Sequence, residues 1–197
     1  MYRNFGKRFL DIFISFCGIV VLLIPMGIIA IVINRDSKGG ALFKQERLGK
    51  NKKIFTIYKF RTMIPNAYVL GGTNTYKNDS RITKAGAFLR KTSLDELPQL
   101  FNILKGEMSI VGPRPILEEE EAEVSRPELY QERFQIRPGL FCTVDVDLRA
   151  AADRTTQFKM DKEYYEKVSL LLDCHVFLGV LKTVISGNNV YKEKNGD

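Results

Sequence analysis

A chain of 197 residues with 45% hydrophobic and 11% aromatic residues can bury the core of one globular domain, which excludes a disordered chain. Thirty Lys and Arg against 23 Asp and Glu give a net charge of +7, so an anionic partner is expected: nucleic acid, an acidic membrane surface or phosphorylated substrates. Three widely spaced cysteines, Cys17, Cys142 and Cys174, and the lone His175 argue against a disulfide framework or a zinc site and fit a reducing, cytosolic compartment.

From Ile12 to Ile33 no residue is charged. At about 1.5 Å per residue this run just covers a hydrocarbon core of about 30 Å. It is longer than a typical signal-peptide core and no small-residue cleavage motif follows it, so it is expected to stay in the mature protein. Pro25, near its middle, removes a backbone donor and disfavours helical geometry at Ile24. Basic residues flank both ends, Arg3, Lys7 and Arg8 before the run and Arg35, Lys38 and Lys44 among those after it. Cationic flanks prefer the cytoplasmic side, so a span would export one cluster, whereas a re-entrant segment broken near Pro25 keeps both inside. The re-entrant form is expected; an ordinary kinked span is the alternative.

Farther along, residues 41–61 hold two short apolar or aromatic runs around Leu48-Gly49-Lys50-Asn51-Lys52, which predicts a small β hairpin with a basic turn. Residues 64–80, with Gly71-Gly72 and several Asn and Thr, read as a mobile loop. Residues 84–104 carry helical spacing and stop at Lys105-Gly106. The Glu118 to Glu121 run reads as a solvated helix face, Arg137-Pro138-Gly139 as a turn, and Asp161 to Ile185 as a further helical region. The tail from Tyr191 is expected to fray. No internal repeat, P-loop or G-x-G-x-x-G motif is present. The expected organisation is a membrane-embedded segment (1–36), a compact, mainly helical α/β domain with a small β hairpin (37–190), and a tail (191–197).

Within the helical region, Thr92-Ser93-Leu94-Asp95-Glu96-Leu97-Pro98-Gln99-Leu100 sets two carboxylates side by side just before a proline. Ser93-x-x-Glu96 matches a capping box, and Asp95 as N-cap would place Pro98 in the first turn. Chemistry is compatible with capping, because a carboxylate at a helix start meets a positive potential that keeps it ionised. An ionised Asp can attack phosphorus if a hard cation such as Mg²⁺ and guanidinium groups offset the repulsion of the phosphate oxygens. Arg90 and Lys91 lie just upstream, and Arg114 sits between Pro113 and Pro115.

An ordered series of short motifs runs through the chain: Gln45-x-Arg47-x-Gly49, Lys59-Phe60-Arg61-Thr62-Met63, Asp79-x-Arg81-Ile82-Thr83, Leu89-Arg90-Lys91, Ser93-Leu94-Asp95-Glu96-Leu97-Pro98-Gln99, Gly112-Pro113-Arg114-Pro115 and Arg137-Pro138-Gly139. With this series the chain resembles the bacterial sugar transferases, monotopic phosphoglycosyl transferases that move a phosphosugar onto polyprenyl phosphate. The resemblance covers most of the chain. It implies a re-entrant membrane helix above a small cytoplasmic α/β domain at the bacterial inner membrane. It implies Asp95 as the nucleophile towards the β-phosphate of a UDP-sugar, Glu96 as its partner, Mg²⁺ at Asp95, and Arg90, Arg114 and Lys59 as phosphate-binding residues. The implied partners are a UDP-sugar, polyprenyl phosphate and the lipid bilayer, with no nucleic acid; a homo-oligomer is left open.

Two departures stand out. After Gly139, many members of the family carry Gln-Val and then Gly-Arg, where this chain reads Leu140 to Arg149 with Asp145 and Asp147; a surface strand with outward carboxylates is expected there. Ile24 precedes Pro25 where Ser is common in the family, which removes a hydroxyl that could satisfy a freed carbonyl. Two rivals explain part of the pattern: a catalytically silent basic membrane adaptor, and an aspartyl-phosphate enzyme that ends in hydrolysis.

Overall fold

The computed structural model describes residues 2–71, 75, 79–148 and 151–186. A single π turn (Tyr2–Gly6) leads into the long helix α1 (Lys7–Asp36), which is long and apolar enough to cross a membrane by length and composition. Its backbone stays helical through Pro25. The break expected there is therefore no interruption of the helix: proline removes one backbone donor, and the turns on either side hold.

The two faces of α1 differ sharply. Asp11, Ser15, Met26 and Ile33 are buried, and Ile19, Leu22, Ile29 and Ala30 pack against the same domain, at the three- and four-residue spacing of one helix face. The opposite side exposes Phe9, Phe13, Phe16, Val20, Val21 and Ile24 among other large apolar residues. Both ends are tied down. Near the start, Arg8 donates to the carbonyls of Ile103 (2.6 Å) and Leu104 (3.0 Å), and the Asp11 carboxylate accepts from Ser109 Oγ and the Ile110 amide, each at 2.9 Å. At the other end Asp36 accepts from the Ala85 amide at 3.0 Å, and Arg61 donates to Ser37 Oγ (2.8 Å) and Ser37 O (2.9 Å). Both basic flanks of the apolar run thus sit on one folded body.

The expected hairpin is present. Strands β1 (Leu42–Leu48) and β2 (Ile54–Phe60) pair antiparallel from Leu42↔Phe60 to Leu48↔Ile54, closed by a turn in which Asn51 and Lys52 adopt left-handed φ of 55° and 57°. In the 64–80 stretch, a short helix α2 (Ala67–Gly71) occupies the start, and residues 72–74 and 76–78 lie outside the described residues. The 84–104 region is two helices and not one. Helix α3 (Lys84–Thr92) ends at Ser93, whose φ of 56° is left-handed; a 3₁₀ turn (Leu94–Glu96) follows, and α4 (Gln99–Lys105) starts after Pro98 and stops at Gly106, φ 86°. Neither Ser93 nor Pro98 makes a side-chain cap bond, so the capping-box reading is replaced by a left-handed kink.

Strand β3 (Ser109–Val111) pairs in parallel with β4 (Gly139–Phe141). The crossing is tight: a Cβ on Gly139 would lie 2.1 Å from the Gly112 amide nitrogen, which explains glycine in both flanking motifs. Between them lie α5 (Glu118–Glu121) and a 3₁₀ stretch (Pro127–Gln135); after β4 come α6 (Thr143–Asp147), α7 (Arg154–Lys167) and α8 (Leu170–Ser186). The strand expected after Gly139 is thus only three residues long before the chain turns helical. The main core gathers β2, α4, β3 and α8 around Ile57, Ile103, Met108, Val111 and Val176. The tail lies outside the described residues.

Candidate active site

Strand β2 delivers Lys59 to the Leu94–Glu96 turn, where its Nζ lies 2.6 Å from Glu96 Oε1 with both side chains 24% exposed. Arg90, in the last turn of α3, donates from Nε to Thr62 Oγ1 at 2.8 Å. Helix α3 reaches Thr62 because Thr83 donates its amide to the Thr62 carbonyl (3.1 Å) and caps the helix by accepting from the Gly86 amide (3.0 Å). A Cβ on Gly86 would fall 2.0 Å from that same carbonyl, so only glycine lets α3 approach closely enough to present Arg90.

Asp95 is half-buried in this turn. Burial pushes its carboxyl up to about 6; Lys59 pulls it down, Glu96 pushes it up and Arg90 pulls it down, in that order of strength. Four of the five residues singled out in the sequence, Asp95, Glu96, Lys59 and Arg90, therefore act on one another.

The fifth, Arg114, is engaged elsewhere. Its Nη1 donates to both carboxylate oxygens of Asp145, at 2.9 and 3.1 Å, and Asp145 is the first cause of its raised pKa, with Glu96 a lesser one. Asp145 does not point outward from a surface strand as expected: it sits in α6 at 9% exposure. The backbone of Arg114 is also fixed. Its amide donates to Asp161 Oδ1 (3.3 Å), and its carbonyl accepts from Arg133 Nη2 (2.6 Å). Arg133 and Asp161 form a fully buried ion pair at 2.8 Å, in which burial pushes Asp161 up to about 6 against the pull of Arg133. Neither residue carried a signal in the sequence, being 28 positions apart and in no motif. The Glu118–Glu121 run also needs correction at one position. Glu120 is buried and accepts from Arg47 (3.1 Å) and from Arg154, joining the hairpin to α7.

No cluster of three or more His, Cys, Asp and Glu side chains converges among the described residues. Mg²⁺ commonly takes one or two protein carboxylates and completes its shell with water and substrate phosphates. Asp95 and Glu96 are hard oxygen donors of that kind, so the pair fits a cation shared with a phosphate ligand and not a protein-only cage. Chemically, the arrangement presents a carboxylate that burial leaves short of stabilisation, flanked by a lysine and an arginine that suit phosphate oxygens.

The family model for bacterial sugar transferases matches residues 2–187. An exopolysaccharide production protein of Rhizobium leguminosarum bv. phaseoli is 40% identical over 195 residues, covering 91% of this chain and 94% of that protein. A UDP-N-acetylgalactosamine-undecaprenyl-phosphate N-acetylgalactosaminephosphotransferase of Aeromonas hydrophila is 35% identical, covering 93% of this chain and 44% of its own length. The undecaprenyl-phosphate galactose phosphotransferase of Salmonella typhimurium is 35% identical, covering 95% and 42%. The chain thus spans nearly all of the first relative and less than half of the other two. With a match that runs from the start of α1 to the end of α8, the chain belongs to the bacterial sugar transferases.

Proposed function

We propose that the protein transfers a phosphosugar from a UDP-sugar to undecaprenyl phosphate at the cytoplasmic face of the inner membrane, as the first membrane step in building a glycoconjugate. The observation that carries this is the Asp95 carboxyl, pushed up to about 6 in a turn shared with Glu96, Lys59 and Arg90. An Asp oxygen attacks the β-phosphorus of the donor and the bond from that phosphorus to the bridging oxygen breaks. UMP leaves with the bridging oxygen, and the phosphosugar stays on Asp95 as an acyl phosphate. An oxygen of undecaprenyl phosphate then attacks the same phosphorus, restoring the carboxylate and giving undecaprenyl-diphosphate-sugar. Glu96, paired with Lys59, takes the acceptor's proton. Lys59 and Arg90 hold donor phosphates, and Arg114, bound to Asp145, is the third residue assigned to them. Asp95 would hold Mg²⁺, which would supply charge neutralisation at the donor phosphates. The exposed apolar side of α1 faces lipid, and its attachment to the same folded domain at both ends keeps both basic flanks on one side of the membrane.

Names in the family cite N-acetylgalactosamine, galactose and glucose, so the donor is open within the UDP-sugars. The test is UMP release by detergent-purified protein given Mg²⁺, undecaprenyl phosphate and a panel of those donors, beside Asp95→Asn. We expect release with one donor, a burst stoichiometric with enzyme when the lipid is omitted, and neither in the variant. Release that survives in Asp95→Asn removes this residue from the chemistry; sustained turnover without lipid favours the hydrolase.

A further inference from the structure

In the motif Lys59-Phe60-Arg61-Thr62-Met63, Lys59 pairs with Glu96, and Thr62, three residues on, holds the second cation of the same site. Thr62 is buried, and its Oγ1 accepts from Arg90 Nε at 2.8 Å. This hydroxyl is a fixed point. Branching at Cβ restricts its χ1, and the backbone is held on both sides. Arg61 donates to the Gly40 carbonyl (2.7 Å) and to Ser37 Oγ (2.8 Å), the Thr62 carbonyl accepts from the Thr83 amide (3.1 Å), and the Ile64 amide donates to the Arg81 carbonyl (2.9 Å). Helix α3 closes on the same Thr62 carbonyl through Gly86. The place of the hydroxyl is therefore set by the backbone around it and not by Arg90.

Arg90 needs such a point. It extends from the last turn of α3, and its charge lies close enough to Asp95 and to Asp79 to stabilise both carboxylates. Asp79 is already held by Arg81 at 2.6 Å. A long side chain between two anionic groups can turn to either, and a ligand would have to order it on binding. The Thr62 hydroxyl supplies that order in advance. It also selects the edge that is presented. A guanidinium grips an oxyanion as a fork through Nη1 and Nη2 or through Nε and Nη2; with Nε given to Thr62, a fork has to use the Nη1–Nη2 edge. We infer that Thr62 is a positioning residue for the nucleotide donor: its hydroxyl holds Arg90 at Nε so that the Nη1–Nη2 edge meets the donor phosphates. This rests on the transferase reading, which assigns Arg90 to those phosphates, and it makes one short motif the setting of both Lys59 and Arg90.

Binding of UDP, which carries the nucleoside and both phosphates of the donor, tests this by isothermal titration calorimetry on the full chain in detergent with Mg²⁺. Thr62→Val keeps the branched shape and deletes the acceptor. It should bind UDP about tenfold more weakly, or about 1.4 kcal/mol, the scale of one hydrogen bond to a charged group. Thr62→Ser keeps the hydroxyl and should bind within about twofold of wild type. Arg90→Gln should bind weakly, and adding Thr62→Val to it should cost nothing further, because the side chain that Thr62 positions is gone. In UMP release, Thr62→Val should raise the donor KM by the same factor and leave kcat nearly unchanged. Additive losses in Thr62→Val/Arg90→Gln, a Thr62→Ser as weak as Thr62→Val, or undiminished binding by Thr62→Val overturns the proposal. So does an Arg90→Gln that binds UDP as wild type does, which removes Arg90 from the phosphates. The transferase reading fails separately: this binding pattern with no UMP from any donor leaves Thr62 and Arg90 as a nucleotide-phosphate site and takes away the phosphosugar transfer. A folding defect in Thr62→Val would weaken UDP binding in the wild-type and Arg90→Gln backgrounds alike, so the cycle decides even if that variant unfolds at a lower temperature.

Discussion

The Leu94–Glu96 turn and helix α6 each bring an aspartate near an arginine, and the two are built in opposite ways. In α6, the buried Asp145 takes both its oxygens to one nitrogen of the partly exposed Arg114, in a matched pair that makes the guanidinium more basic. In the turn, burial outweighs the pull of Lys59 and Arg90, and Asp95 is pushed up to about 6. The first arrangement stabilises charges that are already present. The second leaves a carboxylate whose charge is best stabilised by something that arrives, which is the state a nucleophile or a metal ligand requires.

Removing the two carboxylates should break this symmetry completely. Asp95→Asn is expected to lower UMP release on the order of a thousandfold or more, the usual scale for loss of a nucleophile. Asp145→Asn should keep turnover, since the reactive group is untouched. Comparable losses in both would erase the distinction between the regions.

The Arg114 side depends on its scaffold, so the next largest effect is on folding. Asp161→Asn leaves Arg133, with a side chain only 2% exposed, without its ionic partner and weakens the bond to the Arg114 amide. A cost of about 3–5 kcal/mol is expected for breaking such a buried pair from one side. Thermal unfolding in detergent reads it. A shift of only a degree or two would mean that water or another donor reaches Arg133.

A smaller effect concerns the donor. Arg114 held by Asp145 offers phosphate less than its full charge, so Asp145→Asn should lower the KM for the UDP-sugar, by about tenfold if the released hydrogen bonds are worth about 1.5 kcal/mol. Arg114→Gln should raise it with kcat less affected. If Asp145→Asn raises KM instead, the pair positions Arg114 for the donor, and its geometry matters more than its charge.

What the sequence revealed divides along the same line. The uncharged run announced α1, and the basic turn at Leu48–Lys52 announced the hairpin, because both depend on local composition. The split between α3 and α4 did not show in the periodicity. It depends on a left-handed Ser93, a residue type that rarely advertises positive φ, and Leu94, Leu97 and Leu100 keep a helical spacing across the kink. Helix α6 was missed because Thr143, Val144 and Val146 have strand-like branching, and tertiary packing overrides so weak a preference. Asp95, Glu96, Lys59 and Arg90 were legible because motifs mark them. The burial of Asp145, Glu120 and the Arg133–Asp161 pair depends on partners many residues away, which no local pattern encodes.

The most delicate test separates stability from reactivity at Asp95. Its folded-state pKa, about 6, lies above the ordinary aspartate value of 3.8, so between these two pH values the folded chain binds more protons than the unfolded one. The sign follows: this carboxyl's favourable contribution is fully present below about pH 3.8, declines as pH rises, and is lost above about pH 6. Asparagine carries no charge to desolvate. Asp95→Asn should therefore unfold at a higher temperature than wild type at pH 7, with the gap closing towards pH 4, while UMP release by wild type rises with pH through about 6 as the carboxylate forms. A gap that persists unchanged at pH 4 would tie the difference to packing; a gap of opposite sign at pH 7 would mean that Lys59 and Arg90 stabilise the carboxylate more than burial penalises it, and Asp95 would then belong with Asp145.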